Sequence, residues 1–188
     1  LQGDWSSDVC SSDLGDLSIT EVAGLAIGTS TGSRVNAAGN ITISLDGGNL
    51  NGPGAIVANG GAANVSLAVN GRGNVALSSF GNQVVANSLL VQTINGSIAA
   101  ATNVNTVAAF AFDNGSVTLN QSKNLTIDSI LAVNGPVNVT LSSGNLTIDS
   151  NSILGGQLSN ITLNAAQGSI KRSEEHTSEL QSPCNLVC

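Results

Sequence analysis

The chain is poor in the residues that carry most protein chemistry. Cysteine, histidine and tryptophan occur only near its ends, as Trp5, Cys10, His176, Cys184 and Cys188, with none between Gly15 and Lys171. That central stretch therefore has no disulfide, no thiolate or imidazole metal ligand and no imidazole base. Any acid–base or metal chemistry there rests on carboxylates, lysine and arginine. Aromatic residues are 2% of the 188, against the aromatic groove a carbohydrate-cleaving enzyme usually carries. Charge is scarce too. Between 15 and 171 the acids are Asp16, Glu21, Asp46, Asp113, Asp128 and Asp149 and the bases Arg34, Arg72, Lys123 and Lys171, a formal charge of −2 against −7 for the whole chain. No basic patch points to nucleic acid, and no acidic block points to a solvating tail. No apolar run approaches the roughly 18 residues of a membrane helix. There is also no methionine.

The two ends are related to each other through DNA. Arg172 to Ser182 reads RSEEHTSELQS, and Asp4 to Leu14 reads DWSSDVCSSDL. One codon choice for the first, reverse-complemented and read in a shifted frame, encodes the second. The relation extends to Pro183–Asn185 against Leu1–Gly3. The ends resemble a sequencing adapter translated on both sides of a library insert, and such segments are set aside from fold reasoning. Residues 1–14 and 172–188 are thus expected to be non-native tails that make few contacts with the remainder or cap it only opportunistically. Residues 15–171 are expected to be an internal fragment of a longer reading frame.

What the insert does contain is a repeated phrase: a small or polar residue, then apolar–polar–apolar. Leu17, Ile41, Val65, Leu89, Val117, Val139 and Ile161 lead its copies, at spacings of 24, 24, 24, 28, 22 and 22. Two further series interleave. Leu25, Leu50, Val75, Ile98, Leu125, Leu146 and Ile170 form one, and Val35, Val57, Val85, Val107, Ile130 and Ile153 the other. Alternation of period two marks strands with one buried face, and a fixed repeat of this length marks a solenoid. Glycine and asparagine supply 21 and 22 of the 157 insert residues, which argues against helix and places turns between the phrases. The expectation is an all-β, right-handed parallel β-helix with three strands per coil of about 24 residues and roughly six coils, its partners being its own neighbouring coils. Leu, Ile and Val should fill the bore and Thr, Ser and Asn face outward. Ile127 and Ile148 should point in, and Thr126 and Thr147 out. Asn40, Asn64, Asn124, Asn138, Asn145 and Asn160, at recurring turns, can stack into amide ladders.

One coil breaks the spacing. The steps from Leu89 to Val117 and from Ile98 to Leu125 are 28 and 27, which assigns extra residues to Ala99–Asn114. This segment also holds Phe110 and Phe112. A longer turn whose phenylalanines pack on the rod is the plain reading, and a small exposed contact patch is the functional one.

The phrases Gly115-Ser116-Val117-Thr118-Leu119, Gly144-Asn145-Leu146-Thr147-Ile148 and Ala166-Gln167-Gly168-Ser169-Ile170 resemble the shaft repeats of filamentous-haemagglutinin-like exoproteins. The resemblance spans essentially all of 15–171. It implies export from a Gram-negative bacterium by the two-partner route, with secretion or cell-surface exposure. It also implies an outer-membrane export partner, a host or bacterial surface ligand, and a role in adhesion or contact-dependent competition. The Asn-Pro motifs of that family's export domain are absent, so the piece would come from the shaft.

No catalytic, cofactor-binding or metal-binding residues are predicted. Asp128 and Asp149 each end a Leu-Thr-Ile-Asp-Ser phrase and lie 21 apart, so they can stack on successive coils. Calcium would need further oxygen ligands to make six or more. With Lys123 the one base near in sequence, solvated carboxylates are the reading adopted. Nine Asn-x-Ser/Thr triplets, at Asn40, Asn64, Asn95, Asn114, Asn120, Asn124, Asn138, Asn145 and Asn160, arise wherever a turn Asn precedes a strand with an outward Ser or Thr; they are also potential glycosylation sites. The glycine clusters lack the helix and lysine of a phosphate cradle. The function expected is therefore a non-enzymatic shaft segment without cofactor, contact with nucleic acid or membrane insertion. The alternative is a fragment of a β-helical polysaccharide-lyase-like enzyme or a tailspike-like protein.

Overall fold

Ile41–Leu45 shows in miniature why this chain makes strands. Ile41, Ile43 and Leu45 are fully buried while Thr42 is exposed and Ser44 half-buried, the period-two pattern of a sheet with one apolar face. A computed structural model describes residues 9–12, 15–28, 30, 32–78, 83–150, 154–155 and 160–173 of the chain. They build an all-β parallel solenoid of about six turns, with one short 3-10 turn at Asn59–Gly61.

Three strands make each of the first four coils. They are β1 (Val9–Ser12), β2 (Leu17–Glu21) and β3 (Leu25–Ala26); β4 (Arg34–Ala37), β5 (Ile41–Leu45) and β6 (Leu50–Asn51); β7 (Ala55–Ala58), β8 (Val65–Arg72) and β9 (Val75–Leu77); and β10 (Val84–Val85), β11 (Ser88–Asn95) and β12 (Ile98–Asn103). Two strands make each of the next two coils: β13 (Thr106–Ala111) with β14 (Val117–Gln121), and β15 (Leu125–Ala132) with β16 (Val137–Leu141). After them come β17 (Leu146–Ile148), β18 (Leu154–Gly155), β19 (Ile161–Ala165) and β20 (Ile170–Arg172). All pairings are parallel. One sheet runs β2-β5-β8-β11-β13-β15-β17-β20, and the other β1-β4-β7-β10-β12-β14-β16-β19 with β3, β6 and β9 joined to it through β12.

The registers correct the spacing assigned to the middle of the repeat. Leu17, Ile41, Val65 and Leu89 do stack in one column, but above Leu89 sits Val107, eighteen residues on, not Val117. Val117 lies in the other sheet, over Ile98, so that Leu25, Leu50, Val75, Ile98, Val117, Val137 and Ile161 form a second unbroken column. The coil is thus shorter here, and the supposed insertion over Ala99–Asn114 is two ordinary strands and their turns. The cause is a lost corner. Leu77 and Val84, seven residues apart, stack under Ala100 and Thr102, two apart, so the loop between β9 and β10 has no counterpart in β12. The five residues removed are the difference between the 23-residue step from Val75 to Ile98 and the 18-residue step from Val84 to Thr102.

The third series is off by one in two places. Val35 pairs with Ile56, and Ile56 and Val84 are buried while Val57 and Val85 face outward. Above Val85 sits Asn103, with Val107 in the other sheet. Ile153 lies outside the described residues.

Corners are held by side chains as well as backbone. Asn40 donates its backbone N–H to Asp16 Oδ1 at 2.7 Å, Asn64 donates to Asn40 Oδ1 at 3.0 Å, and the Ser88 hydroxyl donates to Asn64 Oδ1 at 2.8 Å. Two further ladders run from Asn49 through Asn74 to Ser97, and from Asn124 through Asn145 to Ser169. The side-chain oxygens of Asn40, Asn49, Asn74, Asn124 and Asn145 accept the N–H that starts the next coil, as a capping side chain does at a helix, while that of Asn64 accepts the Ser88 hydroxyl. Asn138 is not part of such a ladder: it lies within β16, paired with Thr118 and Thr162.

Just before the Asn49–Asn74–Ser97 ladder, Gly48, Gly73, Gly96, Gly115 and Gly135 are stacked. A Cβ on any of the last four would strike the carbonyl oxygen of the glycine below, so this column admits nothing larger. Gln121 occupies an inward position, 2% exposed. Its Nε2 donates to Val104 O at 2.6 Å, and its Oε1 accepts from Thr102 Oγ1 at 2.7 Å and Val104 N at 3.3 Å. A buried amide is tolerated there because the β12–β13 turn has backbone groups that need partners.

Short pieces of the two ends cap the rod: Val9–Ser12 pairs with Arg34–Ala37, and Arg172 pairs with Ile148. An open sheet edge offers main-chain donors and acceptors to any extended segment, whatever its side chains. Residues 1–8, 13–14 and 174–188, with Trp5, His176, Cys184 and Cys188, lie outside the described residues.

Candidate functional site

The outward faces carry whatever chemistry the rod has, because inward positions are filled by aliphatic side chains, with Thr93, Thr102 and Gln121 among the few buried polar ones. Asp128 is exposed on β15, at a bulge: Val107 pairs with Ile127 and Ala108 with Ser129, leaving Asp128 unopposed. Ile127 pairs with Ile148, so Asp149 follows one coil above, half-buried, with its Oδ1 accepting from the Ser150 hydroxyl at 3.3 Å. The two acids do come to neighbouring coils. Among the described residues, no group of three His, Cys, Asp or Glu side chains gathers to hold a metal. Lys123 sits in the turn before β15, with four residues between it and Asp128, well over 10 Å at about 3.3 Å per residue of strand.

Beside them is a polar depression of about 310 Å³ lined by Asn105, Asn124, Leu125, Thr126, Asn145 and Thr147. Its walls are the stacked pairs Asn124–Asn145, joined through Asn145 N to Asn124 Oδ1 at 2.8 Å, and Thr126–Thr147, while Asn105 closes one side by accepting from Thr126 N at 2.8 Å. Amides and hydroxyls can hydrogen-bond a neutral polar ligand; the lining offers no nucleophile–base pair and no charge. The amides of Asn124 and Asn145 are legible as ladder positions, but Asn105 enters only through the shortened coil.

The third feature is aromatic. Phe110 faces outward from β13 and its ring lies 6.2 Å from that of Phe112, the planes within 8°. Gln92 pairs with Phe110, and its strand neighbours Leu90 and Ile94 are 41% and 45% exposed. Phe110 therefore belongs to a sheet face that bears outward aliphatic residues, with Phe112 just past the end of β13, and not to a long turn. The alternation that marks β11 as a strand gave no warning of Leu90 and Ile94, which stand where a polar residue is expected.

No described helix is long and apolar enough to cross a membrane, which says nothing of β-barrels. Comparison with known protein families, with curated proteins and with solved structures finds no match to the chain. The chain is a β-solenoid, a class consistent with a structural shaft and equally with other β-helical proteins.

Proposed function

We propose that residues 15–171 are a non-catalytic shaft segment of a large secreted or surface-exposed adhesin-like exoprotein of a Gram-negative bacterium, a rod that projects a distal functional domain. The two ends are proposed to be adapter-encoded. The observation that carries the shaft reading is the apolar column from Leu25 to Ile161, which continues through every coil although the coils change from three strands to two and back. Such a column resists bending and separation along one axis, and each coil depends only on its neighbours. The phrase resemblance supplies the adhesin part, with export across the outer membrane by a dedicated partner and a surface ligand bound elsewhere in the full protein.

The test has two arms. The reading frame around 15–171 should continue on both sides with the same phrase, with an export domain bearing Asn-Pro motifs upstream; a frame that instead leads into a catalytic domain overturns the proposal. The chain should also leave acidic polysaccharides uncleaved and gain no melting temperature from calcium. Calcium-dependent turnover lost in Asp149→Ala would promote the polysaccharide-lyase reading.

A further inference from the structure

We infer that the outward face of the sheet containing β5, β8, β11, β13 and β15 is a dimer interface, which two copies of the chain pack against each other about a two-fold axis. The inference goes beyond the shaft reading, since it gives the rod a lateral partner whatever the rod projects. Three columns of outward side chains cross the middle of this sheet. Leu90 lies beside Ala108 in the first; Gln92, Phe110 and Leu131 make the second. Phe112 N donates to Thr93 O and Val133 N to Ala111 O, each at 2.9 Å, which sets Ile94, Phe112 and Val133 in the third. Leu90 and Ile94 are exposed, and Phe110, Phe112, Leu131 and Val133 half-buried. A contiguous apolar patch on an outward sheet face marks a contact. The outward positions of the other sheet are polar by comparison: Thr118 and Asn120 on β14, Asn138 and Thr140 on β16.

The composition of the face favours a second copy as its occupant. Strands β11 and β13 carry no charged residue, and on β8 and β15 charge is limited to Arg72, the last residue of β8, and Asp128 at the bulge. A face with so little charge has no means of selecting an acidic or a basic partner. Thr42, Ser44 and Ser66 border the patch, which gives it the apolar centre and polar rim of a protein interface. Phe110 stands in the middle of the three columns. A two-fold axis through it therefore returns the patch onto itself, with Leu90 of each copy over Val133 of the other and small Ala108 over Phe112.

The area suffices. These five strands are five to eight residues long. At about 3.3 Å per residue and 4.8 Å between strands, each contributes on the order of 80–130 Å² of face and the five together about 550 Å². Two such faces bury about 1,100 Å², just above the roughly 1,000 Å² that a specific interface needs and below the roughly 1,600 Å² of a standard one. The pair is therefore stable but weak, and because the contact is isologous it closes at two copies.

The experiment is sedimentation equilibrium of the full chain over a wide range of concentration and salt, under reducing conditions that keep Cys10, Cys184 and Cys188 from cross-linking copies. Expected is a monomer–dimer equilibrium with a midpoint on the order of tens of micromolar, not weakened by salt because no ion pair lies at its centre. Phe110→Asp and, separately, Leu90→Asp should each raise that midpoint roughly tenfold or more, since each sets a carboxylate in the apolar centre of both copies. Thr140→Asp, exposed on the other sheet, should leave it unchanged. Leu90 is already 41% exposed, so Leu90→Asp decides the matter if Phe110→Asp lowers the melting temperature at concentrations where the chain is monomeric. A parent that stays monomeric, association that continues past the dimer, a midpoint indifferent to Leu90→Asp, or a dimer lost in Thr140→Asp would each overturn the inference.

Discussion

Gly96→Ala tests the stacking more sharply than any core truncation, because the added methyl has nowhere to go. A Cβ at Gly96 would run into the Gly73 carbonyl oxygen, and would lie 2.6 Å from its carbon and 3.2 Å from Asn74 Oδ1. The neighbour is backbone of the coil below, so relief requires the two coils to part at this corner. Three bonds then stretch: Gly73 N to Asn95 O at 3.2 Å, Val75 N to Ser97 O at 3.0 Å, and Ser97 N to Asn74 Oδ1 at 2.8 Å. Overpacking alone costs about 1–3 kcal/mol, and each weakened bond adds a share of about 0.5–1.5 kcal/mol. The expected loss is therefore about 2–4 kcal/mol, set against the few tenths that alanine costs on an open surface. Gly32 is the control, with no atom within 4 Å of its Cβ and no positive φ, and Gly32→Ala should stay within about 0.5 kcal/mol of the parent. Denaturant unfolding followed by circular dichroism reads both. Because each coil touches only its neighbours, weakening a central interface should also lower the slope of the transition as the halves uncouple. If Gly96→Ala melts with Gly32→Ala, these coils do not stack in the register described.

Three further outcomes follow from the same structure. Ile127, fully buried, should lose about 2–5 kcal/mol on truncation to Ala while outward-facing Thr126→Ala stays near 0.5 kcal/mol; equal losses would mean a strand register wrong by one. Gln121→Leu keeps roughly the volume but leaves both backbone groups of Val104 without the Gln121 amide, and at about 1–3 kcal/mol for each unsatisfied buried group a melting temperature unchanged from the parent would discredit that role. Phe110→Ser should leave stability nearly unchanged and reduce binding of an apolar fluorescent dye to the chain; a large drop in stability would mean that the ring is core and not surface.

The parallel β-solenoid was legible in the sequence because its determinants are local or strictly periodic. Alternation of period two, as in Leu125-Thr126-Ile127, decides which side chains face in, and turn residues between phrases decide where the chain bends. The columns through Leu17, Ile41, Val65 and Leu89, and through Leu25, Leu50, Val75 and Ile98, follow from a constant repeat, and the structure has them. What lay beyond the sequence was which phrase meets which once the repeat length changes. An apolar–polar–apolar triplet pairs equally well with any other, so Val117 carries no mark that its partner is Ile98 and not Leu89. That choice belongs to the whole coil: because the corner between β9 and β10 has no counterpart in β12, the chain returns to its starting point five residues sooner, and every later strand stacks accordingly. The same holds for the surface. Asp128 and Asp149 could be placed on successive coils from their spacing, but the bulge at Asp128, the Asn105 wall of the polar depression and the meeting of Phe110 with Gln92 depend on contacts between residues distant in sequence, which only the stacked coils bring together.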